Sequence, residues 1–449
     1  MPFYLKLVNK SPLKLLFLHV LFGFLASQDS NFSTIWGWSI VVFGSYNIIK
    51  YRNRFNDAAF FAIYLVGIEV LLRMTDARVL WEFGKYGSIL MLMLGIIMQK
   101  LTKHRTSIYI VIYILTFLPS VFLVPFESFD FWRQSISFNL SGPILLFLSF
   151  IYFRNRIITK NEIINIFRVF ILPMVSMSIV LLVRIPKLEE IVFTSEANFQ
   201  MSGGYGPNQV SSILGLMIAI ISLSKIIGII LFNKNVYDYI ILSVCSIQAY
   251  LTFARGGVIT AIIAIFTSWF ISSFINSNTK IIKTGRIIYI ILMLSILWSI
   301  AGDFSEGMME KRYAAMIKLD QNGELGASGR ILIMALDLEI FKDNYFTGVG
   351  PGMANKLRMD YGYQNPVASH SEFTRALAEH GFFGMIGILT LLVLVIKEFS
   401  YRGSIEKCIL SCFAMISILT MSHSAMRLAM AGLIFGMSFI RYNPSISEN

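Results

Sequence analysis

Apolar runs of roughly twenty residues recur along the whole chain with short polar stretches between them, and this pattern constrains the fold more than any other feature. About twenty residues of helix cross about 30 Å of hydrocarbon. Such windows fall near 11–27, 34–50, 58–73, 84–99, 107–124, 138–153, 163–183, 208–232, 236–254, 257–275, 285–301, 375–396, 405–421 and 424–440. Backbone polar groups in lipid must be satisfied within the segment, and the runs lack the alternation of barrel strands, so each is expected to be a helix. The expectation is an all-α polytopic membrane protein of 12–14 transmembrane helices forming one embedded domain over residues 1–449. Only 14% of the residues are charged, against about 25% in soluble domains, which disfavours a water-soluble fold. The opening run from Leu13 to Ala26 follows Lys6, Lys10 and Lys14 but lacks a convincing small-residue cleavage site, so it reads as a retained first helix.

Lys and Arg cluster in every second connection. One set holds Lys50, Arg52 and Arg54; Lys100, Lys103 and Arg105; Arg154, Arg156 and Lys160; Lys280, Lys283 and Arg286; and Lys397, Arg402 and Lys407. The alternate set carries Asp29, then Glu127 and Asp130 with Arg133, then Glu189, Glu190 and Glu196. Positive residues stay on the cytoplasmic side, so both termini are expected there. Arg73, Arg78 and Lys85, with Asp76 and Glu82 beside them, make the outer connection between the third and fourth spans more basic than that rule prefers. The net charge of +12 is therefore read as membrane topology, and no nucleic-acid partner is expected. Cys245, Cys408 and Cys412 lie inside apolar segments as expected buried free thiols.

Two connections on the outer side are long: Arg184 to Pro207, and about seventy residues from Gly302 to His370. Within the longer one, Ile331, Leu332, Ala335, Leu338, Ile340 and Phe341 recur at helical spacing with Asp337, Glu339 and Lys342 between them, which predicts an amphipathic surface helix over 328–344. Gly348, Gly350, Pro351 and Gly352 follow as a tight turn. Glu69 lies in an apolar run with Arg73 one helical turn on, a spacing that favours a structural ion pair over a proton relay.

Three segments carry a family resemblance. His370 and Ser371, followed after nine residues by Gly381 and then Gly384, fit a pattern of His, then Asn, Ser or Gln, then Gly and a small residue. Thr252-Phe253-Ala254-Arg255-Gly256-Gly257 and Ala327-Ser328-Gly329-Arg330 precede it. In this order they resemble the motifs of the bacterial O-antigen ligase and O-antigen polymerase superfamily, and residues 208–400 read as its core region. The resemblance implies transfer of a glycan from a polyprenyl-diphosphate carrier to a saccharide or lipid-linked saccharide acceptor, on the outer face of the bacterial inner membrane. It implies no metal and no other cofactor.

Residue chemistry agrees with that reading. Breaking a sugar–phosphate bond leaves a diphosphate whose charge grows in the transition state, and the permanently charged, fork-shaped guanidinium suits it. Arg255 and Arg330 are the expected clamp, and His370 either accepts the acceptor's proton or hydrogen-bonds the phosphate. Ser371, Arg427 and Arg184 are expected to bind substrate. Each has a plainer role beside this: Arg255 as an interfacial anchor, Arg330 as a solvated helix end, and Arg184 as part of an ordinary loop. His380 and Glu379 read as packing residues, and His423 as an anchor or a neighbour of the site. Ligase and polymerase stay open as alternatives. A flippase for lipid-linked saccharides is the rival from another class, although no repeated halves are visible.

Overall fold

The computed structural model describes residues 2–99, 107–154, 156–185, 197–275, 280–314, 330–363 and 366–443. In chain order the helices are α1 (Phe3–Lys10), α2 (Pro12–Gln28), α3 (Ser30–Tyr51), α4 (Asp57–Met74), α5 (Phe83–Met98), α6 (Ile108–Leu115), α7 (Leu118–Val121), α8 (Phe129–Phe153), α9 (Lys160–Val183) and α10 (Pro207–Ile226). They continue with α11 (Asn235–Leu251), α12 (Arg255–Ile275), α13 (Lys280–Phe304), α14 (Met308–Ala314), α15 (Arg330–Asp343), α16 (Ala354–Leu357), α17 (Glu372–Ser400), α18 (Ser404–Ser424) and α19 (Ala429–Met437). The protein is an all-α polytopic membrane protein. Each of the fourteen apolar windows falls on helix.

Among the described residues, α8, α9, α10, α12, α13, α17 and α18 are each long and apolar enough to cross a membrane. The pair α1 and α2, bent by 103°, adds an eighth if counted as one span. The remaining windows are shorter or less apolar. The fifth is split into α6 and α7, and the fourteenth holds only the nine residues of α19. Local signals set several helix starts. Thr159 and Glu162 form a reciprocal cap on α9, with the Glu162 backbone N–H donating to Thr159 Oγ1 at 3.3 Å and the Thr159 N–H to Glu162 Oε2 at 2.8 Å.

The apolar character of each helix decides its place. Along α4, α9 and α10 nearly every side chain is buried, and helices that are apolar all round belong in the centre of a bundle. In α3 and α13 one stripe stays exposed, Ile35, Val42 and Ile49 in the first and Ile288, Leu292 and Ile296 in the second, as a lipid-facing surface requires. The third span, α4, is thus among the most deeply packed elements. Lys85 does not add charge to a connection either: it is buried in α5 and paired with Glu82.

Arg52, Arg54, Arg154, Arg156 and Arg402 gather at one end of the bundle. There Arg154 and Arg402 share Glu398 at 2.9 and 2.7 Å, and Ile157–Ile158 pairs in parallel with Arg441–Tyr442. The opposite end holds the described parts of the connection before α17, residues 305–314, 330–363 and 366–370, together with the starts of α5, α8, α10, α12, α17 and α19.

Candidate functional site

Arg255 is placed by a sharp corner. After α11 ends at Leu251, the Ala254 N–H donates to Thr252 Oγ1 at 3.2 Å, and Phe253, at φ 55°, turns its fully buried ring into the core. Ser211 of α10 donates to the Ala254 carbonyl at 2.6 Å and fixes the start of α12. The two glycines after Arg255 permit close approach. A Cβ on Gly257 would lie 2.0 Å from the Ser211 carbonyl oxygen, and one on Gly256 would lie 2.5 Å from the His423 ring. The Arg-Gly-Gly element therefore seats α12 directly on α10 and under His423.

Arg330 opens α15; the preceding Ala327, Ser328 and Gly329 lie outside the described residues. The helix does not use the face its periodicity suggests. Ile333, Leu336, Asp337 and Ile340 are buried, whereas Ile331, Leu332 and Leu338 are exposed. The reason is electrostatic. Asp337 is wholly buried against Arg358, which donates to Asp337 Oδ1 from Nε at 2.8 Å and from a terminal nitrogen at 2.5 Å. The other Asp337 oxygen accepts from Thr374 at 2.9 Å and Ser369 at 3.3 Å. Arg358 also donates to the Val367 carbonyl and to Ser369 Oγ. One buried ion pair thus ties the helix bearing Arg330 to the segment bearing His370.

His370 and Ser371 lead into α17, with Ser371 buried at the N-cap. The helix is broken at Gly381, whose φ of 59° and ψ of −139° strongly favour glycine. The connection after α15 fills the break: the Phe382 N–H donates to the Tyr345 carbonyl at 2.7 Å, and the N–H groups of Val349 and Gly350 donate to the carbonyls of Ala378 and Glu379 at 3.1 and 2.9 Å. A Cβ on Gly384 would lie 2.0 Å from the Ala376 carbonyl oxygen, so the two halves of α17 pack against each other. The spacing from His370 to Gly381 and Gly384 is that of a folded-back corner, and the run expected from 375 to 396 has its own break.

Arg427 lies in the connection between α18 and α19, not within a last span. Two buried carboxylates grip this connection on either side of it: Glu372 accepts from the Met426 N–H at 3.2 Å and Glu69 from the Ala429 N–H at 2.8 Å. Arg427 donates to the Ala368 and Ser369 carbonyls at 2.8 and 3.2 Å, holding the approach to His370. Its Nε is buried and has no hydrogen-bond partner. Glu69 pairs with Arg73 at 2.7 Å, and Arg73 reaches Gln209 at 3.0 Å, so this structural pair also anchors the connection that carries Arg427.

Arg330 is the electrostatic centre of this end. Its charge acts on His370, His423 and Arg427, and the charge of Arg255 acts on it. Burial, then the positive charges of Arg427, Arg330 and Arg358, push the His370 imidazole down to about 3. Burial first, and a neighbouring arginine second, also lower Arg330 and Arg427, although guanidinium groups keep their charge. Among the described residues no carboxylate forms an ion pair with Arg330 or Arg427.

The structure therefore brings Arg255, Arg330, His370, Ser371 and Arg427 to one end of the bundle, with His423 among them. His423 reaches Thr260 at 3.3 Å through Nε2, and its buried Nδ1 has no hydrogen-bond partner. Arg184 is occupied elsewhere: it ends α9 and donates to the Met74 carbonyl at 2.6 Å and the Gly203 carbonyl at 3.4 Å, which makes it a clasp between helix ends. His380 and Glu379 are buried, His380 against Ser120 at 2.5 Å and Glu379 against Arg375 at 3.1 Å. Sequence reasoning did not anticipate Asp337 and Arg358 as a buried pair or Glu372 as a clamp on the Arg427 connection. The available signal was an aspartate among the apolar residues of α15, and it read equally as a solvated face.

These features define a membrane-embedded helical protein with a group of arginines and histidines gathered at one end of its bundle. Residues 240–389, about a third of the chain, match the family model described as O-antigen ligase. The chain carries this domain, and the match supports its place in the O-antigen ligase and polymerase superfamily and a membrane role in glycan transfer for O-antigen biosynthesis. No curated protein matches the chain.

Proposed function

We propose that the chain transfers a glycan from a polyprenyl-diphosphate carrier to a saccharide acceptor in surface polysaccharide biosynthesis, as a ligase or as a closely related polymerase. The observation that carries this reading is the gathering of two half-buried arginines, Arg330 and Arg427, around a neutral histidine, with no carboxylate in an ion pair with either among the described residues. Such a set is costly unless an anion completes it. Arg330 and Arg255 hold the diphosphate. Arg427 keeps the His370 segment in place and has one donor to spare.

In the reaction, the acceptor hydroxyl oxygen attacks the anomeric carbon and gives its proton to a ring nitrogen of His370. The bond from that carbon to the phosphate oxygen breaks, and the carrier diphosphate departs with the electron pair into the arginine clamp. His370 is poorly basic in the free protein because burial, and then the charges of Arg427, Arg330 and Arg358, oppose its protonation. A bound diphosphate offsets them, so binding of the donor itself raises the basicity of His370. The protein is assigned to the bacterial inner membrane with both termini cytoplasmic and the site periplasmic. The gathering of Arg52, Arg54, Arg154 and Arg156 at the opposite end supports that orientation.

The decisive experiment places Arg255→Ala, Arg330→Ala and His370→Ala separately in a deletion strain, checks expression and measures surface polysaccharide. Each arginine variant is expected to lower transfer by roughly 10²- to 10³-fold, the worth of a group aimed at developing charge. Full restoration by all three overturns the reading. What accumulates in the inactive strain tells the two reactions apart: long unattached chains on the carrier for a ligase, single capped repeats for a polymerase.

A further inference from the structure

We propose that a cleft beside the His370 segment is a saccharide-binding site, which receives the sugar chain whose end reacts at the cationic site. The inference rests on the glycan-transfer reading and gives it a second substrate contact. The cleft, about 500 Å³, lies between the α4–α5 connection, the first turns of α8 and the turn from Gly352 to Asn355. That volume is in the range of small-ligand sites, about 300–1,000 Å³.

Its lining selects a ligand class. Trp81, Tyr86 and Phe138 supply aromatic faces, and Trp81 and Phe138 are exposed. Gln134 and Ser137 place an amide and a hydroxyl between them, with the Asn355 amide nitrogen beside them, while Asn139 is tied to Ser135 and Arg375. The cleft's charged groups have partners of opposite sign, Glu82 the buried Lys85 and the exposed Arg133 the exposed Asp130 at 3.4 Å, so the lining presents no cluster of cations such as a diphosphate needs. Its polar groups would be left unsatisfied by an acyl chain. A pyranose chain, with apolar C–H faces and hydroxyl edges, satisfies both kinds of surface. A small polar recess joins the cleft to the reacting end: it shares Phe138, Asn139 and Asn355 with the cleft and reaches Ser369 and Arg427, next to His370.

The test uses the full-length protein in proteoliposomes. The lipid-linked glycan extract of a deletion strain and the acceptor glycolipid of that strain are each titrated at a fixed amount of the other. Trp81→Ala and Tyr86→Ala are expected to raise the half-saturating amount of one of them roughly tenfold, as loss of an aromatic contact does, with the maximal rate nearly kept. Trp81→Phe should retain most of the affinity. A rise confined to the lipid-linked extract assigns the cleft to the donor's sugars, and a rise confined to the acceptor assigns it to the acceptor's. Unchanged half-saturation for both, or a loss of maximal rate alone, overturns the cleft while the transfer reading stands. No transfer by the wild-type protein overturns both.

Discussion

The depressed basicity of His370 makes a specific claim about pH. In the free protein its imidazole stays neutral down to about pH 3 because burial and the charges of Arg427, Arg330 and Arg358 all oppose protonation. The profile of kcat/KM reports the free enzyme. It should therefore show no rising limb near pH 6.5 attributable to His370, and such a limb, abolished by His370→Gln, would refute the assignment. Arg427→Ala, which removes the arginine that acts most strongly on His370, should bring a limb up from below. Stability carries the same sign. The unfolded chain takes up the proton near pH 6.5 and the folded chain only near 3, so this group's contribution to folding is intact above about 6.5 and is lost as the pH falls between those values. The types of the candidate residues were legible in the sequence. Their protonation was not, because it depends on charges that come from three separate segments.

At the scale of elements, two corners hold the site. The buried Asp337–Arg358 pair joins α15 to the segment before α17, and either side chain alone would leave an uncompensated buried charge. Asp337→Ala should cost about 3–5 kcal/mol by thermal or denaturant unfolding in detergent. The double variant Asp337→Leu with Arg358→Met should cost clearly less than the sum of the single ones, and additivity would count against a paired role. Gly381→Ala should cost about 1–3 kcal/mol through backbone strain and should lower transfer as well, since the His370 segment hangs on that corner. The amphipathic helix of the long connection was visible as a period. Its buried face was not, because one ion pair with Arg358, a residue at the end of α16, outweighed the apolar stripe that the period marked. The glycine spacing was likewise visible, but its meaning as a folded-back corner comes from the Tyr345–Gly350 connection that fills it.

For the whole molecule, orientation can be read with a membrane-impermeant maleimide. All three native cysteines are buried, so the background should be low. Phe122, 87% exposed after α7, lies toward the candidate site, and Tyr401, 79% exposed after α17, toward the basic end. Phe122→Cys should label in intact spheroplasts, and Tyr401→Cys only after permeabilisation; the reverse pattern would invert the protein. By itself the sequence determined the all-α membrane class, the positions of the apolar windows and a short roster of cations and a histidine, because helix length and the cost of charge in lipid act locally. Only the tertiary structure decided which helices are central, that Arg184 clasps helix ends while Arg427 serves the His370 segment, and that Glu69 and Glu372 steady the connection between α18 and α19. Those outcomes hang on hydrogen bonds and ion pairs between residues far apart in the chain, and no local period records such pairings.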